Sequence, residues 1–151
     1  MPALTGSLAG LAGVTSNCGM TTGWAAILIG AVCALACAKS SELLGKLRID
    51  DPVEAVGVHL VAGSIGTILT GLFAKPEAGV ILRHKDWLPG LLYPPHSFHL
   101  LGCQLLTVVV YSFWSGFQTW VFLYVLKRFV FKETFNYSIN AQIRGLDYAL
   151  N

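Results

Sequence analysis

The sequence places one ionisable imidazole inside a long apolar run. His59 ends the stretch "DDPVEAVGVH" and precedes "LVAGSIGTILTGLFA", and no Asp, Glu, Lys or Arg occurs from Ala55 to Ala74. A neutral imidazole donates a hydrogen bond from one ring nitrogen and accepts one on the other, which suits the handling of a small polar molecule or its proton. Ionisable groups within membrane segments are costly and usually functional. His59 is therefore the leading functional candidate; a buried His bonded to a neighbouring helix is the structural alternative.

The acidic residues before His59 have a structural explanation. Asp51 suits the N-cap of a helix, Pro52 suits the first helical position, and Glu54 can reach back to the cap amide. Both carboxylates would also lie at the positive end of the helix dipole. We therefore expect a helix from Pro52, with Asp51 and Glu54 as its capping residues rather than as a cation site. His59 would lie about 12 Å along the axis from this cap.

Helical spacing predicts that the face around His59 consists of small residues. The residues on its side are Ala55, Val56, Ala62, Gly63 and Gly66. Such a face lets another helix, or a narrow channel, approach the backbone closely. We expect the first four of these residues to line a path together with His59.

The composition predicts the kind of element that positions this segment. The 151 residues are 54% hydrophobic and 12% charged, whereas soluble domains carry about 25% charged residues. The windows Met1–Ala38 and Trp87–Leu126 also contain no Asp, Glu, Lys or Arg, and a bilayer-spanning helix needs about 20 apolar residues. The sequence therefore predicts an all-α fold, a polytopic bundle of membrane helices.

The apolar windows define the expected organisation of the chain. Residues 3–16 are too short to cross a core of about 30 Å and are interpreted as part of a span. Full spans are predicted over 22–43, 52–74 and 97–126, so that residues 1–128 form a transmembrane region. Seven of the ten basic residues fall before Asp50 or after Leu126. The positive-inside rule then puts the tail, residues 129–151, in the cytoplasm.

The other residues that could do chemistry fit structural roles. Cys33 and Cys37 lie one helical turn apart in an apolar run, where cysteine packs as a small hydrophobic residue. His96 and His99 have a spacing that can serve a metal or haem site, but no nearby carboxylate or cysteine completes one. A haem-binding membrane subunit that uses His96 or His99 with His59 is an alternative that haem absorbance would test. We expect no cofactor and no metal. A net charge of +2 also gives no reason to expect a nucleic-acid partner.

The segment "IDDPVEAVGVHLVAGSIGTILTGLFA" resembles the ammonium transporter (Amt) family. The upstream "GSLAGLAGVTSNCG" and "WAAILIGAVCAL" and the tail "RGLDYALN" follow the order of that family across nearly the whole chain. The related Rhesus branch is a weaker match. The resemblance implies a homotrimer whose subunits have about eleven spans in two inverted repeats. This chain would be a C-terminal fragment, from the last part of the eighth span through the eleventh.

The resemblance also implies a function and a location. In that family, ammonium is recruited at an outer aromatic vestibule and deprotonated, and ammonia and a proton then cross a narrow hydrophobic pore with two paired histidines. His59 matches the second of these histidines. The implied surroundings are membrane lipid, in a multi-pass cell-membrane protein that is not an enzyme and has a cytoplasmic C-terminus. The tail motif corresponds to Gly145, Leu146 and Asp147.

The chain departs from the family pattern in ways that bear on function. The first repeat is missing, and with it the partner histidine, the recruiting acidic residue and the aromatic gate. Leu60 follows His59 where glycine is typical, and Ile143 and Arg144 precede the tail motif where acidic residues are common. We therefore expect a partial transporter, a truncated product or gene-model fragment, that does not conduct alone. The alternative is a truncated, non-conducting isoform that associates with full-length subunits and modulates them.

Overall fold

A computed structural model gives the structure of the protein, described for residues 2–78 and 87–130. Over these residues the chain is helical and has no strand, which confirms the all-α fold class. The helices in chain order are α1 (Pro2–Thr15), α2 (Gly23–Lys46), a π-helical segment (Val56–Val61) that leads into α3 (Ala62–Phe73), and α4 (His99–Val125), which continues into a second π-helical segment (Leu126–Val130).

Three stretches of helix are long and apolar enough to cross a membrane. They are Gly23–Lys46, Val56–Phe73 and His99–Phe129, whereas the apolar helix Ala3–Thr15 is shorter. Helix α2 runs to Lys46, beyond residue 43, where the predicted span ends. Its last turns carry an ion pair between Lys46 Nζ and Glu42 Oε1 at 2.6 Å, a spacing of four residues that supports helix. Lys39 and Lys46 therefore belong to α2 itself, whereas Arg48 lies beyond its end.

The chain divides into two units, Met1–Ser112 and Phe113–Asn151. The core of the first unit is formed largely by small residues spaced four apart. Residues four apart lie on one face of a helix, so each stripe of buried residues is one packing surface. The buried stripes are Ala9, Gly13 and Asn17 at α1; Ala25, Ile29, Cys33 and Cys37 on α2; and Val58, Ala62, Gly66 and Thr70 on the π-helical segment and α3.

The backbones of the helices in this unit approach most closely at Gly13. A Cβ atom added at Gly66 would collide with the carbonyl oxygen of Gly13, and one added at Gly13 would collide with Cys33 Sγ. Cys33 Sγ also lies 3.5 Å from the carbonyl oxygen of Ala62. Glycine at these positions lets the backbones of α1 and α3 touch, the packing mode that small residues allow between membrane helices.

A buried amide fastens the end of α1 to α3. Asn17 is 2% exposed, and its Nδ2 donates to the carbonyl oxygens of Gly66 at 3.1 Å and Gly13 at 3.2 Å. Thr70 Oγ1 donates to Asn17 Oδ1 at 2.9 Å. The amide is therefore bonded through both its nitrogen and its oxygen, as a buried polar group must be to avoid a large desolvation cost.

The chain after the C-terminal end of α3 folds back over that end. The N–H groups of Gly90 and Leu91 donate to the carbonyl oxygens of Ala74 at 2.8 Å and Gly71 at 3.0 Å, and Trp87 Nε1 donates to Lys75 O at 3.2 Å. The last carbonyls of a helix lack partners within the helix, so these amides take the place of water there.

The part of α4 that belongs to the second unit carries a row of aromatic rings. Phe113, Phe117, Trp120 and Tyr124 follow one another at helical spacing, and successive ring centroids lie 6.4, 6.4 and 5.9 Å apart. Phe113 is 73% exposed and Trp120 is 64% exposed. None of the residues of α4 is buried within the described structure, so this helix offers its apolar side chains to its surroundings.

Candidate functional site

His59 lies on the π-helical segment, on a face that the other helices of its unit leave uncovered. The residues just before it, Gly57 and Val58, are buried, whereas His59 and Leu60 are exposed. One side of the segment therefore packs against α2, and the imidazole lies on a different, exposed side.

The helix that carries His59 begins later than the sequence suggested. The π-helical segment starts at Val56 rather than Pro52, because Glu54 adopts a left-handed backbone conformation with φ of 53°. Its N–H donates to Asp51 O at 3.1 Å and closes a turn. A left-handed residue cannot continue a right-handed helix. His59 therefore lies about one turn from the start of the helix, not at the depth expected from a start at Pro52.

Asp51 binds the first amides of this helix, with both of its carboxylate oxygens. Oδ1 accepts from the N–H of Ala55 at 2.9 Å, and Oδ2 accepts from the N–H of Val56 at 2.8 Å. Asp51 thus satisfies two helix-start donors that would otherwise lack partners, although four and five residues along the chain instead of two or three. The expected role of Glu54 is corrected: it forms the turn, and its carboxylate makes no hydrogen bond to any other residue that the structure describes.

The π-helical segment changes which residues share a face with His59. A π turn holds one residue more than an α turn, which rotates the residues before it by roughly 100° relative to those after it. Ala62 is fully buried in the core and Gly66 is buried against Gly13, so neither lines the surface around His59. This corrects the expectation for Ala62. Regular α-helical spacing did not anticipate the wider turn.

The remaining residues of the expected face lie outside the core. Ala55 is exposed, and Val56 and Gly63 are partly buried. A Cβ atom added at Gly63 would meet no atom within 4 Å, so the backbone there borders open space. Ala55, Val56 and Gly63 thus stay available to a surface around His59, as does the exposed side chain of Leu60.

The sequence reasoning missed Gly57 as a functional candidate. It is buried against α2, and a Cβ atom added there would lie 2.8 Å from Cys37 Sγ and 3.0 Å from Ser40 Oγ. A glycine two residues before a membrane-embedded histidine was the available signal. Its partners on α2 could not be identified, since contacts between helices are not encoded in local spacing.

The other predicted residues do not assemble into a site. His96 Nδ1 lies 3.0 Å from Leu91 O, and His99 Nδ1 lies 3.9 Å from Cys103 Sγ, both at exposed positions. Across residues 2–78 and 87–130, no three His, Cys, Asp or Glu residues are grouped so that they could hold a metal ion. The tail motif Gly145, Leu146 and Asp147 lies outside the described residues.

Known proteins are similar to this chain in sequence. The sequence model of the Ammonium Transporter Family matches residues 1–150. Ammonium transporter 1 member 1 of Solanum lycopersicum is 32% identical over 143 residues, which are 94% of this chain and 29% of that protein. Ammonium transporter 3 of Dictyostelium discoideum is 32% identical over 145 residues, which are 95% of this chain and 32% of that protein.

A solved structure shares the fold. A crystal structure of a Mep2 mutant from Candida albicans superposes with a TM-score of 0.74 at 28% identity, and the match covers 97% of this chain and 33% of that one. The chain thus spans about a third of the length of these similar proteins.

Proposed function

This chain belongs to the ammonium transporter family, and from that premise we propose that it supplies part of a membrane path for ammonium and ammonia, with His59 on that path. The family and the relatives are ammonium transporters, which are not enzymes. Family membership together with three long apolar helices supports a membrane location.

The observation that carries this proposal is the position of His59 on an apolar helix, facing away from the core. A bare cation entering an apolar passage loses its hydration at a heavy cost, which neutral ammonia largely avoids. An imidazole can accept a hydrogen bond from ammonia or ammonium on one nitrogen and donate from the other. Transfer of the ammonium proton to water or to the acceptor nitrogen of an imidazole leaves ammonia, which crosses while His59 provides polar contact.

The path is proposed to run along the surface that His59 shares with Ala55, Val56 and Gly63. These residues have short side chains, and Gly63 borders open space, so the far wall must come from another element. A paired-histidine relay requires a second imidazole opposite His59. We assign that wall and that imidazole to a part of the transporter outside this segment, consistent with the chain's spanning about a third of its relatives.

The assembly and topology are proposed from the family and the charge distribution. We infer a homotrimer in the cell membrane, with the transmembrane region over residues 1–128 and a cytoplasmic tail over residues 129–151. Lys127 and Arg128 end the last apolar stretch and support the cytoplasmic assignment through the positive-inside rule.

A second candidate function follows from the exposed apolar surface of α4. Its aromatic row is not covered by any described residue, and a second subunit can cover such a surface as well as lipid can. The chain would then associate with full-length subunits and reduce their activity without conducting. Coexpression with a full-length relative tests this: unchanged current and unchanged assembly would contradict it.

The transport proposal is tested in a graft. The whole chain replaces the matching segment of the Solanum lycopersicum transporter, and uptake of ammonium and methylammonium is measured in cells that lack their own ammonium uptake. We expect the graft to transport and His59→Ala to change its rate or its selectivity between the two cations. His99→Ala, which removes an exposed imidazole with no proposed role, is the matched control. An inactive graft, or a His59→Ala graft indistinguishable from the control, would contradict the proposal.

A further inference from the structure

We propose that Gly57 is a positioning residue for His59, and that its contact with Cys37 and Ser40 of α2 sets where the imidazole lies. This inference rests on the proposed transport function and adds a residue that does not itself face the path. It assigns selectivity in part to a contact on the opposite side of the helix from the substrate.

The contact at Gly57 leaves no room for a side chain. A Cβ atom there would lie 2.8 Å from Cys37 Sγ, 3.0 Å from Ser40 Oγ and 3.5 Å from Cys37 O. Ordinary van der Waals contacts of a Cβ atom lie at 3.4–4 Å. Adding one methyl group therefore requires a separation of roughly 0.6 to 1.2 Å between the π-helical segment and α2, by difference from the 2.8 Å contact.

The α2 side of the contact is held in place. Cys37 is 1% exposed, and it also lines a cavity of about 130 Å³ together with Ala34 and Ser41. Ser40 Oγ donates to Cys37 O at 2.7 Å, and Ser41 Oγ donates to the same oxygen at 3.2 Å. Turning the Ser40 hydroxyl away would cost its hydrogen bond. The π-helical segment, rather than α2, is consequently expected to move.

Movement of the segment at Gly57 reaches His59 directly. The two residues are two positions apart, and Val58 between them is buried. On either side the segment is fastened, by the bonds of Asp51 to Ala55 and Val56 and by the burial of Ala62. A displacement imposed at Gly57 must therefore be taken up by the few residues between these points. His59 lies among them.

A displacement of this size is large for recognition of a small ion. Misplacement of a reacting group by about 1 Å can change a rate by about a hundredfold. Ammonium and methylammonium differ by one methyl group, so the ratio of their uptake rates reports the width and polarity around His59. We expect Gly57→Ala to change that ratio by about tenfold.

The experiment uses the same graft and compares variants that separate position from folding. Gly57→Ala crowds the contact, and Gly45→Ala is the matched control, since Gly45 is an exposed glycine of α2 whose added methyl group meets no atom within 4 Å. The triple variant Gly57→Ala, Cys37→Ala, Ser40→Ala removes both crowding atoms while Ser41 keeps its bond to Cys37 O. We expect Gly57→Ala to change the uptake ratio, the triple variant to restore it, and Gly45→Ala to leave it unchanged, at equal amounts of assembled protein.

Crowding from the other helix provides a second route. Cys37→Val places a branched side chain on α2 at the contact with Gly57 and leaves the sequence of the π-helical segment unchanged. It should change the uptake ratio in the same direction as Gly57→Ala does. If Gly57→Ala does not accumulate in the membrane, Cys37→Val tests the positioning role in its place.

The outcomes separate the two levels of the proposal. A normal ratio in Gly57→Ala or in Cys37→Val, while His59→Ala changes it, would overturn the positioning role and leave the transport function standing. A changed ratio that the triple variant fails to restore would show that the steric contact is not its cause, and would also overturn it. No effect of His59→Ala would remove the transport role of His59, and the positioning role with it.

Discussion

Removal of the buried amide of Asn17 is expected to destabilise the packing of α1 on α3. Asn17→Ala deletes donors to two backbone carbonyls and the acceptor of the Thr70 hydroxyl. Net values near 1 kcal/mol per hydrogen bond would give about 3 kcal/mol, whereas measured interhelical bonds in membrane proteins average about 0.6 kcal/mol. Of the three bonds, only those to Gly66 O and Thr70 Oγ1 join α1 to α3, so this average gives a lower value of about 1 kcal/mol. The expected loss of unfolding free energy lies between these two figures.

A double-mutant cycle isolates the bond between the side chains. Asn17→Ala, Thr70→Val and the double variant are unfolded reversibly in mixed detergent micelles, and helix loss is followed by circular dichroism. We expect a coupling of about 0.6 to 1.5 kcal/mol between the two positions. Ser7→Ala is the control, because the Ser7 hydroxyl is exposed and bonds only within α1. Additivity within about 0.3 kcal/mol would refute the coupling, and a loss no larger than that of Ser7→Ala would refute the structural role of Asn17.

Two further outcomes are expected. Asp51→Ala should lower the unfolding free energy by about 1 to 2 kcal/mol, because two helix-start amides lose their acceptor; the neighbouring Asp50→Ala serves as its control in thermal unfolding, and equal stability of the two variants would count against the cap. The isolated chain in liposomes should show no saturable ammonium flux, because no element within residues 2–78 and 87–130 forms a second wall opposite His59; a saturable flux above that of empty liposomes would contradict this.

The all-α class and the apolar stretches were predictable because lipid imposes them on composition. A segment without charge over about 20 residues has few alternatives in a bilayer. The end of α2 was harder to predict. The predicted span ended at residue 43, but the pairing of Glu42 with Lys46 lets the helix continue to Lys46. Charged residues mark where a helix leaves lipid, and a helix need not end there.

The face around His59 could not be predicted, because its geometry depends on contacts distant in sequence. Regular α-helical spacing groups His59 with Ala62, and the π-helical segment separates them. The buried amide of Asn17 was missed for a related reason. The stretch "SNCGMTTG" around it has the composition of a loop. Its hydrogen-bond partner Thr70 lies 53 positions away, so the local composition gave no indication that Asn17 is buried.

The glycine and alanine stripes of the first unit invert the usual pattern of mutational tolerance. In a soluble core, shortening a large side chain is the costly change, at about 2 to 5 kcal/mol for Leu to Ala. Here there is little side chain to shorten at Gly13, Gly57 or Gly66, and each added carbon forces two backbones apart. The side-chain volume that fits therefore limits which residues these positions can accept. Enlarging Gly13 or Gly57 therefore requires a smaller residue at the facing Cys33 or Cys37, whereas Gly66 faces the backbone of Gly13, where no substitution can make room.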